Sequence, residues 1–198
     1  MAGQVATGPP SRPSGLVRCI ALILLSLIVV AGLTVLIVWL AVKPKKLVYS
    51  VEDALIKGYN LTNDNHLNAS ISFHLRAYNP NSKVSIYYDK IDASVYYDDE
   101  ILASTTLSPF YQPHRNVTRL GLGFVAQQVG LYSNVAQDLK LERTSGEVEL
   151  DVKIRARIRL KVGIWKSRHR TLKITCSPVV INFSKAEKFE RTSCDVDL

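Results

Sequence analysis

Acidic residues are missing from the first 51 positions; all 17 Asp and Glu lie from Glu52 onward. The chain has only three Cys, too few for a disulfide-built scaffold. No two of its histidines, His66, His74, His114 and His169, lie close enough to suggest a zinc-ligand pair. The metalloprotease HExxH, the hydrolase GxSxG, the phosphate loop GxxxxGK[ST] and the redox CxxC are all absent. Gly121-Leu-Gly123 lacks the third glycine of a dinucleotide fingerprint and reads as a turn or bulge. Asp98-Asp99-Glu100 has no alternating acid pattern for Ca²⁺ and reads as a solvated hairpin tip. These absences leave no catalytic, metal-binding or cofactor-binding residue to nominate, and they predict a protein that is not an enzyme.

What the chain does have begins with a long apolar run. Cys19 to Val42 is 24 residues without a charge. As a helix it spans roughly 36 Å, enough to cross a hydrocarbon core of about 30 Å. It is too long for a signal peptide and shows no small-residue cleavage site before Lys43. The expectation is an uncleaved transmembrane helix over residues 19–42, with Trp39 in the interfacial aromatic belt. Residues 1–18, rich in Pro, Gly and Ser, are predicted to be a disordered cytosolic tail. Cys19, at the membrane edge, is a palmitoylation candidate or a plain helix residue.

Orientation rests on competing signals. Lys43, Lys45 and Lys46 on the C-terminal flank outnumber Arg12 and Arg18 on the other. Against them stand four N-x-[ST] sequons, at Asn60, Asn68, Asn116 and Asn182, all after the apolar run. About one is expected by chance from this composition. Cys176 and Cys194 also lie there, as a disulfide or as two buried thiols. Large domains translocate with little regard to charge. The reading is therefore N-terminus inside and residues 43–198 outside, with Asn60 poorly glycosylated for its nearness to the membrane.

Residues 43–198 carry a net charge of +6 and suffice for one domain. Nearly every segment alternates as strands do. Ile71, Phe73, Leu75 and Ala77 share one face, as do Ile91, Ala93, Val95 and Tyr97. Tyr87-Tyr88 and Tyr96-Tyr97 each put one ring on either face. Residues 62–68 read as a loop, as do 79–82 and 109–116 with their prolines. Leu131, Val135 and Leu139 mark the one helix. TLKITC and VVINF read as two closing strands, followed by a polar tail. The fold class is mainly β, an antiparallel sandwich with one short helix, preceded by the transmembrane helix.

Three stretches in order, NPNSKVSIYYD, PFYQPHRN and then the helix with its long strand, resemble the plant harpin-induced-like (NHL) family. Its members join one N-terminal anchor to a late-embryogenesis-abundant domain of the second group, the water-stress and hypersensitive-response domain. The resemblance implies a fibronectin-like β-sandwich at the plasma membrane, often near plasmodesmata, in pathogen defence. It carries over no catalytic residue.

The longest strand is EVELDVKIRARIRLKV, residues 147–162. Its even positions are apolar and its odd positions charged, ending in Lys153, Arg155, Arg157, Arg159 and Lys161. An outside location excludes nucleic acid, and no aromatic residue interleaves the row in sequence. Three readings stand: a solvated face, contact with acidic cell-wall polysaccharide, or contact with anionic lipid headgroups. The functional expectation is a membrane-anchored defence and signalling protein that acts on other membrane or immune-signalling proteins or on the wall. The alternative is a membrane-proximal lipid-binding sandwich with an apolar cavity.

Overall fold

A computed structural model of the chain describes residues 15–42, 45–183 and 189–198. It divides into two units, Met1–Lys43 and Pro44–Leu198.

The first unit is one helix, α1 (Gly15–Val42). It starts four residues before the uncharged run, because Leu16 and Val17 continue the apolar sequence and the single Arg18 does not break a helix. The predicted tail is shortened accordingly, and its residues 1–14 lie outside the described residues, as does the side chain of Trp39. The side chains of Gly15–Ile37 are exposed all round, and this stretch is long and apolar enough to cross a membrane.

Among the described residues the second unit holds ten strands and one helix. In chain order these are β1 (Val48–Leu61), β2 (His66–Tyr78), β3 (Val84–Tyr97), β4 (Glu100–Leu107), β5 (Phe110–Gln112) and β6 (Val117–Gly130). Then come α2 (Ser133–Ser145), β7 (Glu147–Val162), β8 (Trp165–Lys166), β9 (Arg170–Asn182) and β10 (Thr192–Asp197). One layer is β6-β2-β1 and the other is β4-β3-β7-β9; β10 lies between β1 and β9 and joins them. All pairings are antiparallel. The even residues of β7 from Val148 to Ile158 are buried, so the register read from its alternation holds. They meet Phe73 and Phe124, packed edge to face at 5.8 Å, and the buried face of α2 through Val135, Ala136 and Leu139.

Several local expectations need correction. β2 starts at His66 within the supposed 62–68 loop, since Leu67 is drawn into the core. Between the prolines of the supposed 109–116 loop, β5 pairs with β3. Gly121 and Gly123 are neither turn nor bulge: they sit in regular register opposite His74 and Ser72 on the exposed face of β6. TLKITC and VVINF are one strand, β9, because Pro178 falls at a register shift against β7, where its missing N–H costs no ladder bond. The polar tail is β10, whose Val196 alternates inward with Cys194. The tight turn at Asp98 and Asp99 is as expected, both residues taking positive φ.

The domain has two ends. β1 starts, β2 stops, β6 starts and β7 stops at the end where Lys45 enters. At the other end Asn60 pairs with Asn68 and Glu147 with Asn182. Asn60 is thus far from Lys45, although it follows it by only 15 positions. β1 carries it the whole length of the sheet, 14 residues or roughly 46 Å. The sequon at the Lys45 end is Asn116.

Candidate functional site

The odd residues of β7 point out of the sandwich, and its neighbours decide what surrounds them. Across β3, Arg159 faces Tyr87, Arg157 faces Lys90, Arg155 faces Asp92 and Lys153 faces Ser94. Across β9, Arg155 faces Lys173 and Arg157 faces Thr171. The row therefore broadens into a basic face, about 26 Å long from Lys153 to Lys161 at 3.3 Å per residue.

Not all five cations are equally available. Arg159 binds Asp89 through two hydrogen bonds, at 2.8 and 2.5 Å. His169 lies 3.4 Å from the same carboxylate. The Arg159 bonds hold the Asp89 carboxyl below the usual carboxylate range. Lys153 reaches the exposed Asp99 at 3.4 Å. Among the described residues, Arg155 and Arg157 are exposed and enter no ion pair.

The aromatic residues missing from the row in sequence are supplied by other strands. Lys153 sits 4.4 Å from the Tyr96 ring centre, Arg159 5.6 Å from Tyr87 and Lys161 5.9 Å from Tyr111. Tyr87 and Tyr111 touch each other at 4.7 Å. Cations over rings at these distances are held in place without losing their charge. Three recesses follow the row. One of about 440 Å³ lies by Tyr96, Lys153 and Lys173; one of about 150 Å³ by Arg155, Arg157 and Arg170; and one of about 320 Å³ by Tyr111, His114 and Lys161. Asp195 and Asp197 on β10 stand beside Thr175 and Lys173 and bound the face on that side.

Below the surface at the Lys45 end, the first two stretches of the family resemblance meet in one buried polar knot. Asn79 Nδ2 donates to the Val84 carbonyl at 2.8 Å and to the Pro113 carbonyl at 3.1 Å. Asn81 Nδ2 donates to the Lys45 carbonyl and to Asn79 Oδ1, both at 3.0 Å. The Tyr88 hydroxyl donates to Gln112 Oε1 at 3.1 Å, and Gln112 Nε2 donates to the Ala77 carbonyl at 2.9 Å. Tyr88 also meets the Tyr49 hydroxyl and stacks on Phe110 at 4.3 Å. Burial pushes the Tyr88 phenol up to about 12 and raises Tyr49 well above its ordinary value. Asn79 thus ties its loop to Pro113, and Tyr88 pairs with Gln112, so these buried polar groups are not left unpaired.

Cys176 and Cys194 face each other across β9 and β10 and are joined as a disulfide, with Cα atoms 4.1 Å apart. Cys19 is free and exposed on α1. Asn60 and Asn116 are exposed; Asn68 is half-buried, and its Oδ1 accepts from the Gln128 N–H at 2.9 Å. Asn182 Oδ1 is buried without a partner among the described residues. Among those residues no group of three His, Cys, Asp or Glu is placed to hold a metal ion.

The sequence profile of the late embryogenesis abundant protein family matches residues 74–176, which include the knot residues Asn79, Asn81, Tyr88 and Gln112 and the whole cationic row. NDR1/HIN1-like protein 10 of Arabidopsis thaliana is 32% identical over 210 residues, covering 96% of this chain and 92% of that protein. The chain belongs to the late embryogenesis abundant family, among its NDR1/HIN1-like members. It is also 39% identical over 194 residues to uncharacterized protein At1g08160 of the same plant, covering 96% of this chain and 87% of the relative. The solution structure of AT1g01470 from Arabidopsis thaliana is 16% identical, covers 75% of this chain and 91% of its own, and has a TM-score of 0.40, too loose a likeness to bear on function. NDR1/HIN1-like proteins form a plant stress and defence family.

Proposed function

We propose that this NDR1/HIN1-like protein is a non-enzymatic, single-pass protein of the plasma membrane. In this reading α1 is the anchor, the N-terminus is cytosolic, and the sandwich lies outside the cell, in plasmodesmata as well as the general surface. It acts in defence and hypersensitive-response signalling by binding rather than by chemistry. The binding surface is the basic face of β7, and its ligand is acidic cell-wall polysaccharide, with membrane or immune-signalling proteins as further partners. The observation that carries this is the face itself. Unpaired Arg155 and Arg157 stand between tyrosine rings in a run of recesses, open to a chain that offers both carboxylates and flat sugar rings.

A lipid-enclosing sandwich is less favoured by the geometry. The interior residues Phe73, Val152, Ala156 and Ile158 are 0% exposed within one continuous core, and the apolar recess lined by Val84, Ile86, Leu160 and Leu172 is bordered at the surface by Lys45, Lys46 and Asp197.

The test uses full-length protein in zwitterionic nanodiscs, passed over polygalacturonate and over its methyl ester. Retention on the acid, weakening with salt, is expected, because charges are screened over about 10 Å at 0.1 M. Arg155→Gln with Arg157→Gln should abolish it. Equal retention on the ester, or by the variant, defeats the reading. Orientation is checked separately in intact protoplasts, where glycosidase should shift the mass and external protease should digest the domain.

A further inference from the structure

The strand that carries the basic row ends in an unusual hairpin. Val162 pairs with Trp165 and Lys161 with Lys166, leaving Gly163 and Ile164 as a two-residue loop. Gly163 takes φ +58°, which the first position of such a tight turn needs and other residues resist. The turn lifts two large apolar side chains off the domain. Ile164 is 102% exposed and Trp165 61% exposed. Soluble surfaces seldom present a tryptophan and an isoleucine together at a projecting tip, whereas such a pair suits a partly apolar surrounding. Immediately behind them stand the lysines Lys161 and Lys166, followed by Arg168.

The position of this tip in the domain points to its partner. Gly163 shares a recess with Ser82 and Lys83, next to Asn81, which binds the backbone of Lys45. The tip is therefore at the end of the sandwich where the chain enters. Val42 ends α1 and Lys45 follows three residues later, a link that spans at most about 11 Å.

We propose that Ile164 and Trp165 are a second membrane contact, inserted into the interfacial layer of the bilayer that holds α1, with Lys161 and Lys166 at the level of the lipid phosphates. This rests on the reading of α1 as a membrane anchor. Tryptophan favours the interface, where its ring is in apolar surroundings and its N–H is in polar ones. Lysine stems reach along apolar surface to place their charge among headgroups.

The chain has two tryptophans, so Trp39→Phe leaves Trp165 as the only one, excited at the red edge of its band where the nine tyrosines do not absorb. The full-length variant is placed in phosphatidylcholine vesicles that carry nitroxide either at the headgroup or deep in the acyl chain. Flotation of the same vesicles reports the anchor independently. The expected result is blue-shifted Trp165 emission, quenched several-fold more by the headgroup label than by the deep one. Adding Ile164→Asp, at a side chain that packs against nothing, should return the emission to that of tryptophan in water with unchanged circular dichroism. Floating protein whose Trp165 is unquenched by either label overturns the proposal and leaves the anchor standing. A blue shift without quenching, which reports burial against protein, overturns it equally. Protein that fails to float removes the anchor and the proposal with it.

Discussion

Asn81 holds Lys45 by both of its backbone groups. Its Nδ2 donates to the Lys45 carbonyl at 3.0 Å, and its Oδ1 accepts from the Lys45 N–H at 2.6 Å. Replacing Asn81 by Ala leaves both groups unpaired and should cost about 1–3 kcal/mol. Thermal unfolding measures the loss. Trypsin should also cut after Lys45 and Lys46 markedly faster than in the wild type, with the rest of the domain still resistant; unchanged cleavage would mean that the clamp does not hold this segment.

Tyr88→Phe removes one hydroxyl and leaves two buried groups without it, the Tyr49 hydroxyl and Gln112 Oε1. The expected destabilisation is about 1–3 kcal/mol, larger than for Tyr132→Phe, whose ring is exposed. In a spectrophotometric titration of the wild type, burial keeps Tyr88 protonated to about pH 12 and Tyr49 past its ordinary range. Exposed tyrosines should ionise first; a single transition near pH 10 for all nine would contradict the buried knot.

The two faces of β7 make opposite demands. Arg155→Gln with Arg157→Gln changes only exposed side chains and should alter stability by less than about 0.5 kcal/mol each. Ile154→Gln with Ile158→Gln buries two unpaired amides at positions only 4% and 0% exposed. Each costs about 1–3 kcal/mol before the lost packing is counted, which approaches the 5–15 kcal/mol or so that holds an ordinary domain. Melting curves should show a cooperative transition for the first pair and little or none for the second.

Asp89 confers a stability that depends on pH. Its hydrogen bonds from Arg159 lower its folded pKa below the unfolded value of about 4. A depressed carboxylate stabilises the fold above its unfolded pKa, and that contribution is lost as pH falls through the folded value. Denaturation midpoints should therefore drop below about pH 4. Asp89→Asn should be less stable at pH 7 and show a smaller drop on acidification. The same drop in both proteins would assign the acid sensitivity elsewhere.

Much of this was legible in the sequence where period alone decides. The buried and exposed sides of β7, the placement of Tyr87 and Tyr88 on opposite faces, and the inward Val135 and Leu139 of α2 follow from spacing within one segment, whereas Leu131, expected with them, precedes the helix. What was hidden depends on which strands are neighbours. Lys153 meets Tyr96 only because β3 pairs with β7, and Lys161 meets Tyr111 because β5 borders β3. Position in space misled where position in sequence seemed to suffice: a long first strand carries Asn60 to the far end while Asn116 returns to the near one. β10 was missed because six alternating residues among polar ones carry little hydrophobic signal until β1 and β9 flank them.

The place of β10 between β1 and β9 also orders events in time. Tyr49 pairs with Cys194, a partner made 145 positions later (194 − 49). At 5–20 residues per second, a ribosome needs about 7–30 s to cover that distance. Until then the two layers have no strand to join them, and before β6 is made the β1–β2 hairpin is on its own only marginally stable. Asn60 and Asn68, which oppose each other in the finished hairpin, spend those seconds on loosely formed chain. An enzyme that modifies them while the chain is still emerging meets neither the half-burial of Asn68 nor the crowding of its partner.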